Sequence, residues 1–345
     1  MRVERIAVLG ATGHLGTHIT RALAEDGAQV TILSRRLPNA PFQEGITVQL
    51  LPQRPSAAAL AAALAGSEAQ VVINAAGVTQ GIIRAMVQSN VRLARYVLGA
   101  AATVPGRPRV VHIGSAAEYG LQPEGSAVTE GAACSPSGVY GRTKLAATGA
   151  VLEAIGKGAI RGTVLRVFNP VGPMSPASSV LGGVGAQLAH QRNLPNPQVE
   201  TGPLDACRDF VDVRDVASAV LLAVRHEAPP PIVNIARGEA VSVRDLVRRL
   251  VEVSGVRARL LERPALASRR SQGLAWQEAA VEVAKGQLGW APRYELPESL
   301  RDLWNAATAM VTARSDGPDR RSPLDQSAEW ATTTYRPSSS PQRPR

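Results

Sequence analysis

Tyr140-Gly141-Arg142-Thr143-Lys144 sets a phenol and an ammonium four residues apart. On a helix that spacing puts both groups on one face, about 6 Å apart along the axis. The pairing suits proton transfer. A free tyrosine has a pKa near 10, so making it titrate near neutrality takes about 3 pH units, or roughly 4 kcal/mol of preferential stabilisation of the phenolate. An adjacent ammonium supplies part of that. The same spacing also occurs on ordinary solvated helix faces, so the pair draws its weight from what surrounds it.

A strand must bring a partner to the phenol. The apolar run at 108–114 ends in Gly114-Ser115-Ala116-Ala117-Glu118-Tyr119-Gly120. Open α/β sheets bind ligands at the carboxyl ends of their strands, which places Ser115 to hydrogen-bond a reacting oxygen. The wider rhythm agrees. Short runs rich in Val and Ile alternate with Ala/Leu/Arg segments of helical period, so strands are predicted near 5–9, 29–34, 46–51, 70–74, 108–114 and 161–167. Helices are predicted near 14–26, 56–66, 81–102 and 138–157. This is the pattern of a doubly wound α/β fold with a parallel sheet. After Asn169 come Pro- and Gly-containing loops, then helical pieces near 179–191, 213–226 and 243–254 with short strands between them, which read as a smaller α/β C-terminal lobe.

Directly after the first strand stands Gly10-Ala11-Thr12-Gly13-His14-Leu15-Gly16. A glycine turn between strand and helix lets backbone N–H groups and the positive end of a helix dipole approach a pyrophosphate. Gly10, Thr12, Gly13, His14, Leu15 and Gly16 are therefore the expected dinucleotide-binding turn. His14 is expected to point outward and has no chemical role assigned. At the end of the second strand a carboxylate would bond the ribose hydroxyls of NAD, but Ser34-Arg35-Arg36 stands there instead. A hydroxyl followed by two guanidinium groups suits a 2′-phosphate, so NADP is favoured over NAD. The plainer alternative is that both arginines sit in a solvated loop.

Composition narrows the partners. The formal charge of +10 is carried almost wholly by arginine, since Lys144, Lys157 and Lys285 are the only lysines. The arginines are scattered rather than concentrated in the stripe that nucleic acid or a membrane surface calls for. Aromatic residues, at 3%, are too few for the stacking platforms of single-strand binders. Cys134 and Cys207 fit no metal-ligand spacing and suit a reducing compartment. No metal site is expected. The N-terminus lacks a signal-peptide pattern and no apolar stretch is long enough to cross a bilayer, so a cytoplasmic protein is expected.

Taken in order, the glycine turn, Asn74-Ala75-Ala76-Gly77, Asn90-Val91, Ser115, Tyr140 and Lys144 resemble the extended short-chain dehydrogenase/reductases, the family of nucleotide-sugar epimerases, dehydratases and ketoreductases. The resemblance runs from about residue 5 to residue 305. It implies a Rossmann unit over 1–173, with a strand and helix returning near 208–236, and a substrate-binding lobe over 174–207 and 237–313. Residues 314–345, rich in Arg, Pro, Ser and Asp, are expected to form a disordered tail. The resemblance further implies cofactor contacts at Ala75, Ala76, Gly77, Asn90, Tyr140 and Lys144. Asn169, in Leu165-Arg166-Val167-Phe168-Asn169-Pro170, and Arg208, at the head of Arg208-Asp209-Phe210-Val211-Asp212, take substrate diphosphate contacts. For Asp212 and Asp215 helix capping is preferred, and Trp290 is expected to be structural. Where the family often has an acidic residue that contacts adenine, this chain runs Leu50-Leu51-Pro52-Gln53-Arg54.

The implied chemistry is hydride transfer, with Ser115, Tyr140 and Lys144 as catalytic groups. Dehydratases of the family need a carboxylate pair just after the Ser/Thr, and here those positions are Ala116 and Ala117, which cannot shuttle protons. The leading expectation is an NADPH-dependent reductase of a nucleotide-activated keto-sugar of the 4-keto-6-deoxyhexose type. An NAD-dependent nucleotide-sugar 4-epimerase is the alternative, and a non-catalytic NADP-binding sensor or scaffold is the alternative of another class. A homodimer is expected by resemblance alone.

Overall fold

The computed structural model describes residues 4–37, 44–266 and 275–315. In chain order it contains β1 (Arg5–Leu9), α1 (His14–Glu25), β2 (Gln29–Ser34), β3 (Ile46–Leu50), α2 (Ala57–Gly66), β4 (Val71–Asn74), α3 (Ile83–Met86), α4 (Leu93–Thr103), β5 (Arg109–Ser115), β6 (Ala127–Val128), α5 (Val139–Gly156) and β7 (Gly162–Val167). It continues with β8 (Asn169–Val171), α6 (Val180–Gln191), β9 (Gln198–Thr201), β10 (Cys207–Asp212), α7 (Val213–Arg225), β11 (Ile232–Ile235), β12 (Ala240–Ser242), α8 (Val243–Ser254), β13 (Arg259–Glu262), β14 (Glu278–Ala279), α9 (Glu282–Gly286) and α10 (Leu296–Ser315). Seven strands form one sheet in the order β11-β7-β5-β4-β1-β2-β3, with every neighbouring pair parallel. The order reverses between β1 and β4, the crevice where such sheets take dinucleotides.

Both faces of the sheet are covered, which is why its central strands read as unbroken apolar runs. Ile6, Val8, Ile32 and Ile73 face α1 and α7 through Ile19, Leu23, Val216 and Val220. Ala7, Leu9, Val72 and Val110 face α2, α4 and α5 through Leu60, Leu64, Val97 and Val151. A separate core joins α6, α8 and α10 through Leu188, Leu246, Leu250, Leu300 and Leu303, around the three-stranded β12-β10-β8 and the pair β13-β9.

Two expectations differ from what is found. The helix predicted over 81–102 is split, because Val87–Arg92 widens into a π turn around the buried Asn90, whose side chain reaches inward on both sides. Single π turns mark such functional insertions. The 20-residue α10 was not expected, although Leu296, Leu300 and Leu303 lie at helical spacing and are buried. The expected tail lies outside the described residues, apart from Asp316's predecessors Arg314 and Ser315 at the end of α10.

Glycine spacing seats α5. A Cβ at Gly141 would stand 2.3 Å from the Ala117 carbonyl oxygen and 2.7 Å from the Pro136 Cβ. The helix therefore rests directly on the turn that follows β5. Two turns on, Gly149 is exposed with nothing within 4 Å. Gly149→Ala is expected to raise the unfolding free energy by up to about 1 kcal/mol, the helix-propensity difference. Gly141→Ala is expected to lower it by about 1–3 kcal/mol through overpacking. Denaturant titration of both variants checks the opposite signs, and equal effects would show that α5 does not touch Ala117.

Candidate active site

The glycine turn makes a cradle that side chains would fill. Gly10 has φ +82°, and a Cβ there would lie 2.5 Å from the Ala76 amide nitrogen. A Cβ at Gly16 would lie 2.0 Å from the Gly10 carbonyl oxygen. The turn is thus held tight against the end of β4, where Ala75 N donates to Leu9 O at 3.0 Å. At the start of α1 Gly13 supplies no side-chain cap and the first turn carries no acid. The first amides of the helix, at His14 and Leu15, remain for an anion. Thr12 is exposed beside them. The residues present fit a dinucleotide pyrophosphate.

The three expected catalytic residues stand on two elements, β5 and α5. Ser115 ends β5 and caps the short turn Ala116–Glu118. Its hydroxyl accepts from Ala117 N at 3.3 Å, and its own proton stays available to donate. Tyr140 is half-buried in the first turn of α5, next to the Gly141 contact with Ala117. Lys144, one turn further, is buried and donates to the Ile113 carbonyl of β5 at 2.5 Å. Burial pulls the Lys144 pKa down while the Glu118 carboxylate works against that shift.

At the edge of the crevice Ser34 folds its own turn, donating to Arg36 O at 2.7 Å. Gln53 Nε2 donates to Arg35 O at 3.0 Å. Arg35 and Arg36 are exposed, and among the described residues neither enters an ion pair.

Other expected residues make hydrogen bonds within the protein. Asn90 Oδ1 accepts from Val78 N at 2.8 Å, while Nδ2 donates to Val78 O and to Thr143 Oγ1 at 3.0 and 2.9 Å. It braces the loop after Gly77 against α5. Asn169 Nδ2 donates to Asp209 O at 2.8 Å and to Gln277 Oε1 at 3.1 Å. Arg208 is buried on β10 with Nη1 on the Cys207 carbonyl at 2.7 Å, and burial lowers its pKa. Asp212 caps α7 by accepting from Arg214 N at 2.8 Å. Asp215, expected to cap as well, instead accepts from Arg293 N and Tyr294 N at 3.0 and 3.1 Å. It tethers the segment after Trp290, whose indole donates to Asp215 O and Ser218 Oγ.

His14 corrects a second expectation. It turns inward rather than out, with Nε2 on the Pro173 carbonyl at 3.2 Å, and His18 meets the same oxygen at 3.1 Å. The pyrophosphate turn is thereby tied to the loop after β8. Burial and the neighbouring His18 hold the His14 pKa down at about 4.

Beneath Ser115 lies a charged network that the motif reading passed over. Glu118 is fully buried and bonds Arg166 Nε at 2.9 Å. The Arg166 guanidinium sits 4.5 Å from the centre of the Tyr119 ring, and Tyr119 Oη donates to Asn234 Oδ1 at 2.7 Å. The signal was available, since Ser115-x-x-Glu118 is the spacing of a capping box.

The sequence profile described as NAD dependent epimerase/dehydratase family matches residues 6–236. The chain belongs to that family and is an NAD(P)-dependent enzyme of the extended short-chain dehydrogenase/reductase type. Among its relatives is dTDP-6-deoxy-L-talose 4-dehydrogenase (NAD(P)(+)) of Kitasatospora kifunensis, 39% identical over 311 residues that cover 90% of this chain and 97% of the relative. GDP-6-deoxy-D-mannose reductase of Pseudomonas aeruginosa is 30% identical over 174 residues, 49% of this chain and 55% of that one. The crystal structure of UDP-glucose-4-epimerase from Stenotrophomonas maltophila, with bound NAD and formylated UDP-arabinopyranose, superposes with a TM-score of 0.77 at 25% identity, covering 90% of this chain and 99% of that one. Among the described residues no helix is long and apolar enough to cross a membrane, and no cluster of metal-ligating side chains is present.

The histidine pair sets a pH dependence. Because the folded His14 pKa lies below the ordinary value, the unfolded chain binds the extra proton between about 6.5 and about 4, and stability is lost as pH falls through that window. His14→Gln is expected to flatten the pH dependence of the unfolding free energy there by up to about 1.4 kcal/mol per pH unit. Denaturant titration across the window checks it, and an unchanged slope would show His14 titrating freely in the fold.

Proposed function

We propose that the chain is an NADPH-dependent reductase of a nucleotide-activated keto-sugar of the 4-keto-6-deoxyhexose type. The observation that carries this reading is the full-length likeness to a nucleotide-sugar 4-dehydrogenase, at 39% identity, in a chain that carries Ser115 at the end of β5 and Tyr140 and Lys144 on the helix α5 packed against it. The likeness to a GDP-6-deoxy-D-mannose reductase supports the substrate class. Ala116 and Ala117, both methyl side chains beside Ser115, disfavour dehydration.

The bound dinucleotide supplies the hydride. Ser115 donates a hydrogen bond to the sugar carbonyl oxygen and fixes it beside Tyr140. Tyr140 gives its phenolic proton to that oxygen, so the ketone becomes a secondary alcohol, and the phenolate regains a proton from solvent. Lys144, which donates to Ile113 O, would stabilise the phenolate by its charge and hold the nicotinamide ribose of a bound dinucleotide. The amides of His14 and Leu15 would hold the pyrophosphate, with Ala75, Ala76 and Gly77 as the facing wall and Asn90 bracing it. Asn169 and Arg208 lie on the side of the smaller lobe, which takes the sugar nucleotide; Arg208 serves its diphosphate. Arg35 and Arg36, beside Ser34, give the preference for NADP through charge-assisted bonds to the 2′-phosphate. A homodimer and a cytoplasmic setting belong to the same reading, the latter supported by two free cysteines.

A 4-epimerase is the second reading, supported by the structural likeness to an epimerase with bound NAD. Native mass spectrometry of the purified protein separates the two, because an epimerase retains NAD whereas a reductase exchanges its cofactor every turnover.

The direct test is NADPH oxidation with a panel of dTDP- and GDP-4-keto-6-deoxy sugars, and no oxidation with any of them would remove the reading. Tyr140→Phe is expected to lower kcat by about 10²-fold or more while NADPH still binds. Arg35→Ala is expected to raise the Kd for NADPH about tenfold, the loss of one charge-assisted bond of ~1.5 kcal/mol, and to leave NADH unchanged.

A further inference from the structure

We propose that Glu118 is a positioning residue of this site: one buried carboxylate fixes the backbone of Ser115 and ties the serine turn to the helix carrying Tyr140 and Lys144. The inference rests on the roles proposed above for those three residues.

Three elements meet on Glu118. Its Oε1 accepts from Ser115 N at 2.8 Å and from Thr148 Oγ1 at 3.0 Å. Its Oε2 accepts from Arg166 Nε on β7 at 2.9 Å. Thr148 lies one helical turn beyond Lys144 and two beyond Tyr140, on the same stripe of α5. Gly114 makes the room, since a Cβ there would stand 3.0 Å from Oε1. The catalytic serine, the catalytic helix and the central sheet are thus referenced to one rigid group.

Stability alone does not call for a carboxylate here. Burying an ion pair costs desolvation that its Coulomb energy only roughly repays, and apolar residues of equal volume commonly hold a fold as well. What an apolar side chain lacks is the ability to accept from three donors on three elements. The charge also bears on Lys144, whose pKa burial lowers and Glu118 raises. The charged and titratable groups facing the carboxylate are Arg166 from β7, Lys144 from α5 and Cys134 from the segment after β6.

The test uses the full-length protein and Thr148→Val, which removes the hydroxyl at nearly constant volume and leaves the Arg166 pair intact. The expected result is a kcat lowered about tenfold by misplacement of the reacting groups. KM for NADPH and for the keto-sugar stays near wild type, Tm stays within a few degrees, and hydrogen exchange across residues 113–119 is faster. Glu118→Gln, assayed in parallel at a temperature where it is folded, is expected to lower kcat further. A merely structural role would lower Tm and leave the kcat of the folded enzyme alone. Wild-type kcat in folded Thr148→Val overturns the proposal. If the wild-type protein reduces no keto-sugar, the reading of the reaction has failed, and the exchange measurement decides on Glu118 by itself: exchange across 113–119 at the wild-type rate overturns it.

Discussion

Backbone meets backbone in this molecule at separations that leave no room for a methyl group, and the crevice exists because of it. Gly16 lets α1 descend onto the carbonyl of Gly10, and Gly10 in turn lies against Ala75 and Ala76 at the end of β4. Gly141 performs the corresponding service on the other side, setting α5 on Ala117. With a larger residue at any of these points the helices would stand off by an ångström or more. The start of α1 would then move off the end of β4, and Tyr140 off the turn that follows Ser115. A displacement of that size is enough to spoil a reaction geometry.

The charges inside follow from the same compactness. Lys144 and Arg166 are both buried, and among the described residues the carboxylate between them is Glu118. Burial of a cation is costly unless hydrogen bonds and opposite charge compensate it. Lys144 has the Ile113 carbonyl, and Arg166 has Glu118 and the face of Tyr119. Further out, the arginines of the Ser34 turn are exposed, and among the described residues neither enters an ion pair. Charge within the fold is thus enclosed and hydrogen-bonded, whereas charge on the Ser34 turn is open to water. The first arrangement holds geometry and the second attracts anions.

Much of the fold was legible because its signals are local. The strands of the sheet are continuous apolar runs and their bounds come within a residue or two of expectation, as for β1, β2 and β7. The glycine turn and the Tyr140–Lys144 pair are equally local, one fixed by backbone approach and the other by helical period. What escaped reading depends on partners far off in the chain. The π turn at Asn90 is set by Val78 and Thr143. The inward turn of His14 is set by Pro173, and the tether at Asp215 by Arg293 and Tyr294. Glu118 lies between these cases. Its spacing from Ser115 was visible, but the burial that makes the carboxylate matter comes from Arg166 on a strand 48 residues away.

One topological detail bears on how the chain is made. The sheet ends in β11, which pairs with β7 only after the polypeptide has left to build much of the smaller lobe and returned through α7. Until Ile235 has emerged from the ribosome, the outer edge of β7 is unpaired. A nascent chain arrested before that point therefore carries an adhesive flank. The final strand acts as a lock on biosynthesis as much as an element of the finished sheet.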